Sequence, residues 1–186
     1  MAQRAQRSRP SRFNRMKQYD ETHILALDVR HSRIGYALFS GPKRLLDWGA
    51  GTVPPRCNNR TRWIQRRLER LLRQTAPVLV VAREQRRKRL PRNATGKPIL
   101  KAIQSLTEAE GVPMHSIGRD EIDSAFRIFK ARTKDEIACV LVEIFPEMLT
   151  RLPPKRKKWQ TEPHRMIIFD AIATGFAYWQ RPPPRN

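Results

Sequence analysis

Cysteine is almost absent from this chain, with only Cys57 and Cys139 among its 186 residues. The two lie far apart and outside any metal-ligand spacing, which excludes a zinc ribbon and fits a reducing compartment. We therefore expect a cytoplasmic protein.

Long apolar runs are missing as well. No stretch approaches the ~20 residues that a helix needs to cross a bilayer, so we expect no membrane partner. The basic N-terminal stretch MAQRAQRSRPSRFNRMKQ has no apolar segment of the kind found in secretory signals. Its arginine and serine content resembles that of an organelle transit peptide, although a flexible basic arm is the simpler interpretation.

Acidic residues are few: 17 Asp and Glu stand against 38 Lys and Arg, which gives a formal net charge of +21. This excess predicts a polyanionic partner, with nucleic acid favoured over an anionic membrane surface. The hydrophobic residues, 39% of the chain, suffice for one core. We predict a disordered basic tail over residues 1–21, one domain over 22–181 and a short tail over 182–186.

The hydrophobic patterning predicts an α/β fold. The stretches HILALDV, IGYALFS and LLDWGAGTV read as three strands joined by tight turns, which indicates an antiparallel meander. A helix, a strand, a helix, a strand and two helices follow, and the last helix, EPHRMIIFDAIATGFAYW, has Pro163 in its first turn. A capping pattern from Thr133 to Glu136 opens the helix before it. This order predicts a mixed sheet covered by helices.

Three acidic residues occupy special positions in this pattern. Asp28 ends the first predicted strand, Glu84 ends the fourth, and Asp170 lies within the apolar last helix. A charge in so apolar a helix needs a partner, and side chains at strand ends can converge on a cleft. Converging carboxylates need a cation among them, and hard oxygen ligands favour Mg²⁺ or Mn²⁺. Two such ions ~4 Å apart commonly cleave phosphodiesters.

Each acid also has a simpler interpretation. Asp28 could cap the turn that follows its strand, and Glu84 could pair with Arg83 or Arg86 at the surface. Asp170 could bond to Arg165 or to a backbone donor. These alternatives stay open for each acid taken alone, whereas the three positions together favour a metal site.

Several motifs resemble the RuvC-like branch of the RNase H superfamily, the Holliday junction resolvases and their relatives. ILALDVRHSRIGYALF is similar to the family's opening, in which an Asp on the first strand, here Asp28, precedes a Gly on the second, here Gly35. VLVVAREQ is similar to its fourth strand, and FDAIATGFAYW to its last helix. The resemblance spans about residues 22–180. It implies an RNase H-like five-stranded mixed sheet, antiparallel in its first three strands, with flanking helices.

The resemblance also implies a chemistry. It makes Asp28, Glu84 and Asp170 catalytic residues that bind Mg²⁺ or Mn²⁺ in a nuclease selective for branched DNA. The family commonly has a further acid or His one helical turn before the last acid, where this chain has Ile167. We expect Glu162 or His164 to reach the site as the fourth metal ligand.

Basic residues near the predicted site are candidates for contacts with the nucleic-acid backbone. Trp159 could stack on an exposed base or pack on the last helix, and the basic segments could instead be solvated loops. The predicted nucleic-acid-binding residues are Arg30, Arg86, Arg87, Lys88, Arg89, Arg92, Lys134, Lys155, Arg156, Lys157, Lys158 and Trp159.

We therefore predict a metal-dependent endonuclease that acts on branched or structured DNA, possible as a homodimer because two symmetric cuts need two sites. Three alternatives remain open. Ile167 favours a non-catalytic nucleic-acid-binding protein that kept the fold, and charge alone would suit a ribosome-associated protein. The pre-ribosomal-RNA processing nucleases have a similar first motif, although the acid at the end of the fourth strand favours the resolvases.

Overall fold

The computed structural model describes residues 23–84, 96–154, 159 and 161–181, with the backbone alone for 96–98. The two predicted tails lie outside these ranges, so their disorder remains a prediction. The strands are β1 (His23–Arg30), β2 (Arg33–Ser40), β3 (Leu45–Thr52), β4 (Leu79–Arg83) and β5 (Met114–Ile117). The α-helices are α1 (Arg60–Thr75), α2 (Gly96–Ala109), α3 (Arg119–Ala125), α4 (Lys134–Ile144) and α5 (Met166–Trp179).

The strands form one sheet in the order β3-β2-β1-β4-β5. The first three strands are antiparallel, and β4 and β5 continue the sheet in parallel with β1. The α/β class and the mixed five-stranded sheet predicted from the sequence are therefore confirmed. In the β1–β4 register Leu27 lies opposite Ala82, so that Asp28 and Arg83 follow at the same end of two neighbouring strands.

Helices cover both faces of the sheet. Alternate residues of β1 point to opposite faces, because side chains alternate along a strand. Ile24 and Ala26 pack with α3, α4 and α5, whereas Leu25 and Leu27 pack with α1 and α2. Asp28 has the parity of Ala26 and therefore faces α5.

Helix α5 is seated on the sheet through two glycines. A Cβ built on Gly35 would overlap the carbonyl oxygen of Ile167 and lie 2.7 Å from its carbonyl carbon. One built on Gly175 would overlap the ring of Phe39. The absence of side chains at these two positions lets the helix backbone approach β1 and β2 closely. All residues of α5 from Met166 to Ala177 are buried.

Two details of the predicted element order are wrong. Helix α3 was not predicted, because its stretch RDEIDSA contributes only Ile122 to the core and shows little apolar periodicity. The last helix begins at Met166, so Pro163 precedes it rather than lying in its first turn, and its carbonyl accepts a hydrogen bond from Met166 N at 3.0 Å. Short 3-10 helices cover Arg127–Phe129 and Pro146–Arg151.

The capping pattern at the start of α4 is confirmed. The Thr133 side chain accepts a hydrogen bond from Glu136 N, and the Glu136 carboxylate accepts one from Thr133 N at 2.9 Å. Across the described residues, no helix is both long and apolar enough to cross a membrane.

Candidate active site

Asp28 and Asp170 meet where β1 passes under α5. Asp28 pairs with Gly35 in the antiparallel register, and α5 rests on Gly35 through Ile167, about one turn before Asp170. Both acids are buried. The close helix–sheet contact therefore carries one carboxylate over the other, and two buried negative charges need positive partners.

Arg83 is the deepest of these partners. Its Nη1 lies 2.8 Å from Asp170 Oδ1 and 3.4 Å from Asp28 Oδ2. Its side chain is 12% exposed. Because Arg83 follows the residue opposite Leu27, the parallel register of β1 and β4 places it directly beside Asp28.

Arg30 joins three carboxylates at the mouth of the site. Its Nη2 lies 3.0 Å from Asp28 Oδ2 and also contacts Asp170 Oδ2. Its Nη1 lies 2.6 Å from Oε1 of Glu162. One guanidinium thus holds acids from β1, α5 and the segment before α5.

Lys134, in the first turn of α4, lies at the outer side of the site. Its Nζ lies 2.8 Å from Asp170 Oδ2 and 2.9 Å from Glu162 Oε2. The network therefore pairs three acids with three cations. We call this set the ionic cluster: Asp28, Asp170, Glu162, Arg30, Arg83 and Lys134.

The ionic cluster shifts the pKa values of several members. Burial, and then the neighbouring charge of Asp170, raise the pKa of the Asp28 carboxyl despite the opposing effect of Arg30 and Arg83. Burial works against the charged form of Glu162, but hydrogen bonds from Lys134 and Arg30 outweigh it and lower the pKa of that carboxyl. Asp28 is therefore a weaker acid than usual, whereas Glu162 is a stronger one.

Glu84 lies at the end of β4 with a different set of neighbours. Its backbone N–H donates to the carbonyl of Ile117 at 2.8 Å. A Cβ on Gly118 would lie 3.8 Å from Glu84 Oε2 and 3.5 Å from Glu121 Oε2. The Glu84 carboxylate is thus placed towards the start of α3. In the ranges that the structure covers, no three acidic, His or Cys side chains form a group that could by themselves hold a metal ion.

Glu162 and His164, the two residues predicted as a fourth metal ligand, lie in different surroundings. Glu162 is part of the ionic cluster, whereas His164 is exposed, with its Nδ1 3.4 Å from Oγ1 of Thr52. Ile167, at the position where the resemblance implies an acid, is 1% exposed and packs in the core.

Among the predicted nucleic-acid-binding residues, Arg30 and Lys134 belong to the ionic cluster. Trp159 is 79% exposed. The others lie outside the described residues: Arg86, Arg87, Lys88, Arg89, Arg92, Lys155, Arg156, Lys157 and Lys158.

Sequence reasoning missed Arg83 as a site residue and considered it only as a surface partner of Glu84. The alternation of side chains along β4 could have predicted its position. Arg83 lies two residues after Val81, whose side chain packs on the α5 face of the sheet, so alternation points Arg83 to the same face. Arg119, which lines a small depression together with Arg83, Lys134 and Asp170, was missed as well.

Solved structures of two resolvases share this architecture. RuvC of Thermus thermophilus in complex with a Holliday junction substrate superposes with a TM-score of 0.63 at 21% identity, over 84% of this chain and 91% of that chain. A second Thermus thermophilus RuvC structure gives 0.62 at 19% identity, over 84% and 92%. The chain has the RuvC-like fold. The fowlpox virus Holliday junction resolvase superposes less closely, with a TM-score of 0.52 at 12% identity, over 86% and 99%. No family model and no curated protein matches the sequence.

The carboxylates of the ionic cluster are oxygen donors of the type that Mg²⁺ and Mn²⁺ prefer. The Arg30 guanidinium contacts all three acids, Asp28 and Asp170 through Nη2 and Glu162 through Nη1. In the described residues these oxygens are already paired with Arg30, Arg83 and Lys134, and no three acidic, His or Cys side chains form a group that could hold a metal ion as they stand. Such an ion would compete with Arg30 and Lys134 for the same oxygens.

Proposed function

We propose that this chain is a divalent-metal-dependent endonuclease that cuts branched DNA. The observation that carries the proposal is the contact of one cationic group, the Arg30 guanidinium, with Asp28, Asp170 and Glu162 together. Carboxylates from separate parts of the chain converge on one positive charge in a molecule that is otherwise strongly basic. The fold supports branched DNA as the substrate, since one neighbour is a RuvC in complex with a Holliday junction.

Asp28, Asp170 and Glu162 would hold Mg²⁺ or Mn²⁺ in this proposal, with Glu84 as a further predicted ligand from the adjoining strand end. Such an ion would supply an activated water and stabilisation of charge on the leaving oxygen of the phosphodiester. Burial of Asp28 and Asp170 lowers the local dielectric and strengthens their attraction for a cation.

Arg30 and Lys134 would hold the DNA backbone. Their side chains are 26% and 20% exposed, and their charged groups lie on the outer side of the ionic cluster with Glu162. If their carboxylate partners were neutralised, the two side chains could turn towards phosphate oxygens. They would then fix the DNA strand beside the acids.

A second candidate function is non-catalytic binding of branched nucleic acid. The one-to-one match of three acids with three cations favours it, because such a cluster needs no metal to balance its charge. The buried Ile167 favours it too. A cleavage assay separates the two functions.

The assay uses the full chain with a labelled four-way junction, a duplex of the same sequence and a structured RNA, each with Mg²⁺, Mn²⁺ or EDTA. We expect cleavage of the junction with either metal and none with EDTA. Asp170→Asn is expected to abolish cleavage and keep junction binding within about threefold, since a rim of cations remains. Glu143→Gln, an exposed acid of α4, serves as the matched control and should cleave normally.

The outcomes have distinct meanings. Tight junction binding without cleavage under any metal condition would establish the non-catalytic alternative. Preferential cleavage of the RNA would move the chain to the RNA-processing class. Full cleavage by the Asp170→Asn protein would show that Asp170 is not needed for catalysis.

A further inference from the structure

We propose that the outer face of α1 is a second nucleic-acid-binding surface, which holds the phosphate backbone of a duplex arm of branched DNA. Four arginines form this surface, and we call them the arginine stripe: Arg62, Arg66, Arg70 and Arg73. The inference rests on the proposed binding of branched nucleic acid. It does not depend on cleavage or on any metal ion.

The arginine stripe lies on the side of α1 that faces away from the sheet. Ile64, Leu68 and Leu71 are buried in the core on the other side of the helix. At 3.6 residues per turn, the four arginines fall within a sector of about 80° opposite these apolar residues. All four are exposed. The stripe is about 16 Å long, a length over which one strand of a duplex presents about five phosphates.

The charges of the arginine stripe are poorly balanced by acids. Helix α1 has six arginines and one acid, Glu69. Within the part of the chain that the structure describes, the first three members of the stripe form no ion pair, and Arg73 Nε lies 3.8 Å from Glu110 Oε1. Arginines four residues apart on a helix repel each other, and the first turn has no acid to complement the helix dipole. A bound polyanion would offset this repulsion.

The arginine stripe begins near the end of the sheet that holds the ionic cluster. His31, in the turn between β1 and β2, has its Nε2 2.5 Å from Nη1 of Arg60, the first residue of α1. Arg30 of the ionic cluster pairs with Arg33 across the same turn. Helices α1 and α5 cover opposite faces of the sheet, so the stripe and the cluster would suit different arms of one branched molecule.

Nucleic acid suits this surface better than an anionic membrane does. A helix that binds a membrane surface inserts its apolar face among the lipids. The apolar residues of α1 instead pack in the core of the domain. Its outer side presents guanidinium groups, which bind phosphate oxygens through paired hydrogen bonds.

The salt dependence of binding tests the arginine stripe. The full chain is titrated in EDTA with a labelled four-way junction, and fluorescence anisotropy gives the affinity at several salt concentrations. We expect the triple variant Arg62→Gln/Arg66→Gln/Arg70→Gln to bind about tenfold or more weakly and to reduce the slope of log K against log salt by about two to three, because each phosphate contact contributes about 0.9. Lysine at the same three positions keeps the charge and should keep the slope.

The matched control removes three exposed charges from separate turns outside α1, in Lys43→Gln/Lys130→Gln/Arg151→Gln. It has the same net charge as the glutamine triple variant and should bind within about twofold of the wild-type chain, since dispersed distant charges are screened by salt. Equal losses in the control and the α1 variant would mean that net charge alone matters, and would overturn the inference.

Circular dichroism melting checks the fold of each variant. If the α1 triple variant does not fold, Arg66→Gln alone should reduce the salt slope by about one, and an unchanged slope overturns the inference. The same variants are sedimented with phosphatidylserine vesicles. Loss of vesicle binding with unchanged junction affinity would assign the stripe to a membrane instead.

The two proposals fail in different ways. A chain that binds the junction through the arginine stripe but never cuts it keeps this inference and loses the nuclease function. A chain that cuts the junction, with an α1 triple variant that binds as the wild type does, keeps the nuclease function and loses the stripe. A wild-type chain that does not bind the junction removes both.

Discussion

Gly35 packs against the backbone carbonyl of Ile167 more closely than a side chain at position 35 would allow. This contact sets the distance between β2 and α5, and Asp28 lies opposite Gly35 on β1. The glycine in the first motif thus has a steric role in bringing Asp170 to Asp28.

Gly35→Ala is therefore expected to destabilise the protein. The added Cβ would overlap backbone atoms of a buried helix, which cannot move aside like a flexible side chain, and overpacking of this kind costs about 1–3 kcal/mol. Gly118→Ala is the control, because its Cβ would meet only ordinary contacts at 3.5 Å and beyond. Urea unfolding measures both. An unchanged midpoint for Gly35→Ala would contradict the close seating of α5.

Glu162→Gln is expected to weaken Mn²⁺ binding about tenfold or more, because it removes a charge that lies among the other acids. His164→Ala should leave the affinity unchanged, since its ring lies beside Thr52. Glu147→Gln, an exposed acid in the Pro146–Arg151 segment, is the matched control. Calorimetry gives all three affinities, and the reverse ranking of Glu162 and His164 would make the histidine the ligand.

Asp28→Asn is expected to raise the melting temperature at pH 8 in EDTA. Burial and Asp170 raise the pKa of Asp28 in the folded state, so the folded protein binds this proton more tightly than the unfolded chain does. The carboxyl therefore stabilises the fold fully only below its unfolded pKa, and this stability is lost as pH rises through the folded pKa.

The advantage of Asp28→Asn should accordingly shrink as the pH is lowered towards 4 and be largest at neutral to alkaline pH. Melting curves of both proteins across this range measure it. An advantage that grows on acidification would mean that the pKa of Asp28 is lowered instead.

Trp159→Ala is expected to weaken junction binding without changing the melting temperature. Trp159 is 79% exposed, and stacking of a base on an aromatic ring contributes about 1–3 kcal/mol, which corresponds to a loss of roughly fivefold or more. Leu149→Ala, an apolar residue that is 63% exposed, is the control. Fluorescence anisotropy with a labelled junction gives the affinities. A drop in stability instead would indicate that Trp159 packs on the domain.

The sequence predicts much of this fold because its strands are continuous apolar runs and its helices have clear stripes. Ile64 and Leu68 on α1 are buried as their spacing predicts. Helix α3 escaped prediction because one buried residue, Ile122, makes no periodic pattern. Local pattern predicts an element only when several of its residues face the core.

Five of the six members of the ionic cluster were named as site residues from the sequence, and only Arg83 was missed. Strand ends and an isolated charge in an apolar helix singled out Asp28 and Asp170, and the structure joins both to Arg30. The choice between Glu162 and His164 depended on how the chain enters α5, which no local pattern encodes. Arg83 and Glu84 are neighbours in sequence, but the sheet directs them to different surroundings.

Helix α5 contains Asp170 and is buried along nearly its whole length. The helix that carries Asp170 is thus also part of the hydrophobic core. We therefore expect that it does not unfold locally while the rest of the domain stays folded. Amide protons around Asp170 should exchange with solvent only through global unfolding, and heat inactivation should follow the loss of tertiary structure as a single cooperative transition.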